Sequence, residues 1–262
     1  MDENIILKLK KDSITRMLKQ GEREDGRKFD EYRKIEIIEG YVPKAEGSAL
    51  VKLGETQVLV GVKMDIGTPY PDHEKEGNMV TNSELVPIAS PLYYSGPPSP
   101  ESIEFARVVD RGIRESGAID FEKMCIVEGE KVWTALIDLH VLDFDGNFFD
   151  AATIGAVKAL WNTRLPKYDE EKERLIKEET QGKLPVKYKP MTATFAKIGD
   201  SIVLDPSLTE EKVSDAMMVM SIRDDGHLSA AQKMGKGSFT IEEINQMFET
   251  AVKATKKIRK LI

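Results

Sequence analysis

Ser48-Ala-Leu-Val-Lys-Leu-Gly54-Glu55-Thr56-Gln-Val-Leu-Val-Gly-Val-Lys-Met64 is rich in valine and leucine on both sides of a Gly54-Glu55 break. Such a pattern reads as two strands joined by a tight turn. Glycine at the first central position is what a type II′ hairpin needs, because φ must be positive there. The same pattern returns downstream as Ala193-Thr-Phe-Ala-Lys-Ile-Gly199-Asp200-Ser201-Ile-Val-Leu-Asp205. Lys52-Leu53-Gly54-Glu55-Thr56 matches Lys197-Ile198-Gly199-Asp200-Ser201 in residue type throughout. Shared turn chemistry alone produces part of that match. Further strands and a terminal helix follow the second copy, so the reading is two related halves.

Working outward, residues 4–20 place Ile5, Ile6, Ile14, Met17 and Leu18 at broadly helical spacing, with Ser13 as a cap inside the stretch. The Gly21–Arg27 run is polar and Gly-rich and is expected to lie outside the core. Residues 67–77 and 91–100 read as Pro-rich connectors around a strand at 80–88. Ser99, Pro100 and Glu101 then open a helix as cap, first residue and dipole partner. Ile103, Val108, Val109 and Ile113 are expected to pack it, and Gly117 to end it. Strands at 124–127 and 132–142 lead to a hairpin turn at Asp143–Gly146. Residues 150–165 are small and apolar, which predicts a buried helix. Residues 166–189 are charge-dense and read as a solvated link. After an Asp225-Gly226 turn, Thr240-Ile-Glu-Glu243 forms a capping box for a last helix. Ile241, Ile244, Phe248, Ala251 and Ile258 are expected to line its packed face. The class is α/β (α+β), with β-hairpins and mixed sheet packed against helices. The expected divisions are an entry segment at 1–30, a first half at 31–165, the link at 166–189 and a second half at 190–262.

Composition narrows the function. The chain has 262 residues, with 45 acids against 38 lysines and arginines, a net charge of −7. Any nucleic-acid contact must therefore be a local cationic patch rather than bulk charge. The single cysteine, Cys125, excludes a disulfide framework and a multi-cysteine zinc site. No apolar run reaches the ~18–20 residues of a membrane span, and Met1-Asp2-Glu3-Asn4 has no basic start of a secretory leader. The expectation is a cytoplasmic protein without membrane contact. There is no phosphate loop, H-E-x-x-H or G-x-S-x-G motif. His73, His140 and His227 are scattered and read as structural. Asp143-Phe-Asp145-Gly146 lacks the remaining ligands of a calcium loop, and Asp224-Asp225 reads as part of a turn. No metal or cofactor is expected.

One constellation stands out. Glu104, Arg107, Arg111 and Arg114 are spaced 3, 4 and 3 residues apart and share one helical face. Three guanidiniums in a row can hold successive phosphates. The competing reading is a solvated face laced by pairs such as Glu104–Arg107 and Asp110–Arg114, each worth little.

The order of motifs adds a resemblance. Arg23-Glu24-Asp25-Gly26-Arg27, Gly47-Ser48-Ala49-Leu50-Val51, Gly54-Glu55-Thr56-Gln57-Val58, the arginine helix, Val132-Trp133 and Val141-Leu142-Asp143 with Gly146-Asn147 follow one another as in the RNase PH family. From about Arg23 to the C-terminus the chain resembles this family, and within it the non-catalytic RNase PH-type subunits of archaeal exosome rings. Active members carry an arginine-bearing phosphate turn where this chain has Gly146-Asn147-Phe148-Phe149-Asp150; the arginine is absent, and Asp150 brings the wrong charge for phosphate. They also carry two aspartates six residues apart; here Asp215 matches the second, Thr209 stands at the first, and Glu210 and Glu211 are out of register.

The resemblance therefore implies no catalytic residues of its own, no cofactor and no metal. It implies three heterodimers with a catalytic RNase PH-type partner in a hexameric ring, RNA-binding cap subunits, and single-stranded RNA in the channel. Arg107, Arg111 and Arg114 are the implied RNA-binding positions. An enzyme active alone and a scaffold without RNA contact stay open as alternatives.

Overall fold

The computed structural model describes residues 3–169, 172 and 174–262, and the side chains from residue 9 onward. Helix α1 (Glu3–Lys19) precedes strands β1 (Ile35–Glu39), β2 (Gly47–Leu53), β3 (Thr56–Gly67) and β4 (Asn78–Leu85). Helix α2 (Pro100–Arg114), strands β5 (Cys125–Val127) and β6 (Lys131–Asp143) and helix α3 (Phe148–Asn162) complete the first half. A ribbon of β7 (Arg164–Asp169) and β8 (Arg174–Lys183) leads to β9 (Met191–Ile198), β10 (Ser201–Leu204) and helix α4 (Leu208–Val213). Strands β11 (Ala216–Ile222) and β12 (Leu228–Met234) and helix α5 (Ile241–Ile258) follow.

The first sheet runs β1-β2-β3-β6-β4 with β5 on β6, and only β4 pairs in parallel. The second sheet runs β10-β9-β11-β12, all antiparallel. Helix α3 contacts β2 and β3 of the first sheet and β9 of the second, which explains its burial on every side. Met191 and Val219 of the second sheet join the main core with Val51, Val60, Ile137 and Leu160 of the first half, so the halves share one core. Helix α5 covers the opposite face of the second sheet, where Met218, Met220 and Ile222 meet Met247 and Ala251.

Both hairpins form as the turn chemistry demands. Gly54 has φ of +58° and Gly199 of +59°, while neither Glu55 nor Asp200 has positive φ. This is the type II′ pattern. The helix signals also hold: Ser99 caps α2 with Pro100 at its first position, Thr240 and Glu243 form the capping box of α5, and Gly117 takes a positive φ just past α2.

Several expectations are corrected. Helix α1 runs straight through Ser13, because Ile14 and Leu18, one turn apart, bury together against Ile198 and Val203. The side chains of Ile5 and Ile6 lie outside the described residues. Asp143–Gly146 is a strand-to-helix turn, not a hairpin, since α3 begins at Phe148. The stretch at 166–189 contains most of a paired ribbon whose second strand is largely exposed. Ile103, Ile241 and Ile244 lie on the surface, and Met247 takes the core position on α5. The polar Gly21–Arg27 run sends Arg23 into the interior at 3% exposure.

Candidate nucleic-acid interface

Helix α2 presents two faces with different work. Phe105, Val109 and Ile113 are fully buried, and Ser102 ties the helix start to β4 through Ser83. Phe105 packs on the rings of Phe148 and Phe149, which locks α2 to the start of α3. The Ser99 side chain accepts the N–H of Ser102, a cap worth about 1 kcal/mol. With one face fixed this way, 3.6-residue periodicity turns Arg107 and Arg111 outward.

The arginines do not behave alike. Arg114 donates to both carboxylate oxygens of Asp110, at 2.9 and 3.1 Å, and to the backbone oxygen of Met79. It also lies over the Phe121 ring. Glu104 accepts from the Gln232 amide at 3.2 Å instead of pairing with Arg107. Among the described residues the side chains of Arg107 and Arg111 have no hydrogen bond or ion pair, and both residues are exposed. Half of the solvated-pair reading is thus realised, by Asp110–Arg114, and two free guanidiniums remain. They border a cleft of about 370 Å³ between α2 and the second sheet.

A second charged region lies at the start of α3. Arg23 grips Glu210 with two bonds of 2.9 and 2.6 Å and donates to the backbone oxygens of Leu204 and Asp205. The Asp205 carboxylate, fully buried on a residue with φ of +51°, accepts from Arg27, Arg33 and the Asn147 amide. Sequence reasoning missed this network. The Ser207-Leu-Thr-Glu210 capping box was a local signal that Glu210 is structural.

Asp150 does not face an anion site, contrary to the expectation. It is fully buried and accepts from Tyr32 at 2.8 Å, from the Asn147 amide at 2.9 Å, and from the backbone and hydroxyl of Thr194 at 3.0 and 2.8 Å. Burial pushes its carboxyl above the usual range, and these donors oppose the rise. Tyr32, half-buried beside Asp150, has its phenol pushed well up by desolvation and by the Asp150 and Asp205 carboxylates.

The turn itself is closed by the protein. The Asn147 N–H donates to Glu211 at 2.7 Å, and the Leu208 N–H donates to the Asp145 oxygen at 3.0 Å. A Cβ on Gly146 would stand only 2.5–2.7 Å from the backbone of Pro206, Ser207 and Leu208. Burial raises Glu211 to about 8, despite the Asn147 N–H and Arg33. Asp215 is held elsewhere, by Lys11 and the Gly199 N–H. Glu210, Glu211 and Asp215 therefore have separate structural partners.

Profiles of the 3′ exoribonuclease family match the chain, domain 1 at residues 31–166 and domain 2 at residues 190–254. The chain is 50% identical, over all of its length and 96% of the relative's, to the Thermococcus gammatolerans protein named "Exosome complex component Rrp42". It is 51% identical, with the same coverages, to the Pyrococcus abyssi protein of that name. Among solved structures, a chain of the Archaeoglobus fulgidus exosome with RNA bound to the active site superposes with a TM-score of 0.91 at 44% identity, covering 98% of each chain. A chain of an archaeal exosome core gives 0.87 at 42% identity, covering 99% of this chain and 98% of that one. With both domains matched in order and relatives similar along the full length, the chain belongs to the 3′ exoribonuclease (RNase PH) family.

Proposed function

We propose that this chain is a non-catalytic subunit of an archaeal-type exosome ring, pairing with a catalytic RNase PH-type subunit and contributing RNA-binding arginines to it. The unpaired, exposed Arg107 and Arg111 on a rigid helix carry the reading. Two cations held one turn apart without carboxylate partners suit consecutive phosphates of one strand. The full-length similarity to proteins named as exosome components supports the assembly, as does the likeness to a chain from an exosome with bound RNA. Arg114, tied to Asp110 and Met79, is the weaker RNA contact of the three.

The closed turn at α3 supports the absence of a catalytic centre. Glu211 occupies the Asn147 N–H, Asp150 is turned into the core, and no arginine stands between Gly146 and Asp150. A phosphorolytic step without a cation and open donors at the attacking phosphate loses most of its electrostatic stabilisation. The test is phosphate-dependent release of nucleoside diphosphates from poly(A), by the purified chain and by the chain co-expressed with a catalytic RNase PH-type subunit. Activity is expected only from the assembly. Robust phosphorolysis by the chain alone overturns the non-catalytic assignment, and failure to associate with the partner overturns the ring.

A further inference from the structure

The cleft between α2 and the second sheet has an apolar lining that runs from the edge of the core out to the surface. Ile103, 51% exposed, and the half-buried Val108, which also packs on the core, form its helical wall. Its floor is the sheet face turned toward α2. There Ser221 pairs across strands with Ala230, and Val219 with Gln232, and cross-strand partners share a face. Met218, Met220 and Ile222 alternate to the other face, under α5. The small Ala230 side chain leaves the space open, and Gln232 closes one end through its bond to Glu104.

Charge and shape point to one occupant. Ile103, Arg107 and Arg111 lie in one row at four-residue spacing, about 6 Å apart along the axis. An apolar slot bordered by two unpaired guanidiniums asks for a ligand that joins a flat apolar surface to phosphate. The volume, about 370 Å³, is within the roughly 300–1,000 Å³ of small-molecule sites.

We propose that this cleft takes a nucleobase of single-stranded RNA while Arg107 and Arg111 hold the adjoining phosphates. The inference rests on the RNA-binding reading above and adds a base subsite to it. The base is buried against Ile103, Val108 and Val219. Binding there tolerates different sequences, because every base has a face to bury.

The experiment compares oligoadenylate with an abasic ribose-phosphate oligomer of equal length, bound to the full chain and to its assembled ring. Ala230→Leu fills the slot without changing charge. It should weaken oligoadenylate binding by about 5-fold, the low end of what one buried base contributes, because the walls are aliphatic rather than aromatic. Affinity for the abasic oligomer and both salt slopes should not move. Ile103→Ser, at a surface position, should act in the same direction and guards against a folding failure of the first variant. Unchanged oligoadenylate affinity in both variants overturns the subsite, as does an equal loss for both oligomers. Loss of ring assembly with unchanged binding by the single chain assigns the cleft to the protein partner and also overturns it. The double variant Arg107→Ala/Arg111→Ala separates the two levels. If it leaves both oligomers unaffected, the RNA reading itself fails; if it weakens both while Ala230→Leu weakens neither, only the base subsite fails.

Discussion

Arg23 and Arg33 lie at the seam between the halves, each with a bidentate carboxylate partner, while Arg107 and Arg111 stand on α2 exposed and without one. The same side chain is a structural clamp in one region and a free binding group in the other. Burial decides between them. A guanidinium out of water must be satisfied at every donor, and Arg23 meets this with Glu210 and three backbone oxygens. An exposed one costs nothing to leave unpaired, so it stays available for a ligand.

The largest effect should come from the clamp. Arg23→Ala leaves Glu210 buried and unpaired beside a capping box, and should cost about 3–5 kcal/mol of stability. Urea unfolding measures this; RNA affinity per folded molecule should not change. A loss below about 1 kcal/mol would put Arg23 with the surface arginines and break the contrast.

Arg107→Ala/Arg111→Ala should show the reverse. Stability should stay within about 0.5 kcal/mol of the parent. RNA binding by the ring should weaken, and the slope of log affinity against log salt should flatten by about 1.4, at about 0.7 per lost single-strand phosphate contact. Poly(A) degradation should slow although the catalytic partner is untouched. Dissociation of the ring would instead make these arginines interface residues.

A pH series sharpens the seam side of the contrast. Glu211 has a folded pKa of about 8 against an ordinary 4.5. The folded state therefore keeps a proton that the unfolded chain releases. That contribution is full below about pH 4.5 and is lost as pH rises toward 8. Glu211→Gln keeps an acceptor for the Asn147 N–H and cannot ionise. Its stability should decline less than the parent's between pH 5 and 8, giving a higher Tm at pH 9 and little difference near pH 4. Parallel pH profiles would show that Glu211 ionises freely in the fold.

The contrast also marks what the residues alone could reveal. Hairpin glycines, the Ser99-Pro100-Glu101 helix start and the Thr240–Glu243 box were legible because each is a conflict settled within four or five residues. Positive φ needs glycine, and an orphan N–H needs a nearby acceptor. The apolar content of residues 150–165 announced a buried helix for the same local reason. Ile103 and Ile241 were misread because helical periodicity shows that a helix has an apolar stripe, not where its neighbours stop covering it. Ser13 was misread as a cap because long-range burial of Ile14 and Leu18 outweighed a weak local preference.

Two hairpin-and-helix halves, their turns and caps, and a row of arginines on one helical face can be read from the residues alone. Tertiary structure alone decided which arginines are free. The partner of Arg23 lies 187 residues away at Glu210, and the carboxylate joining Arg27 and Arg33 comes from Asp205 on a left-handed residue after β10. No local pattern specifies such pairs. Their energy depends on desolvation, and desolvation exists only once the two halves have closed on α3.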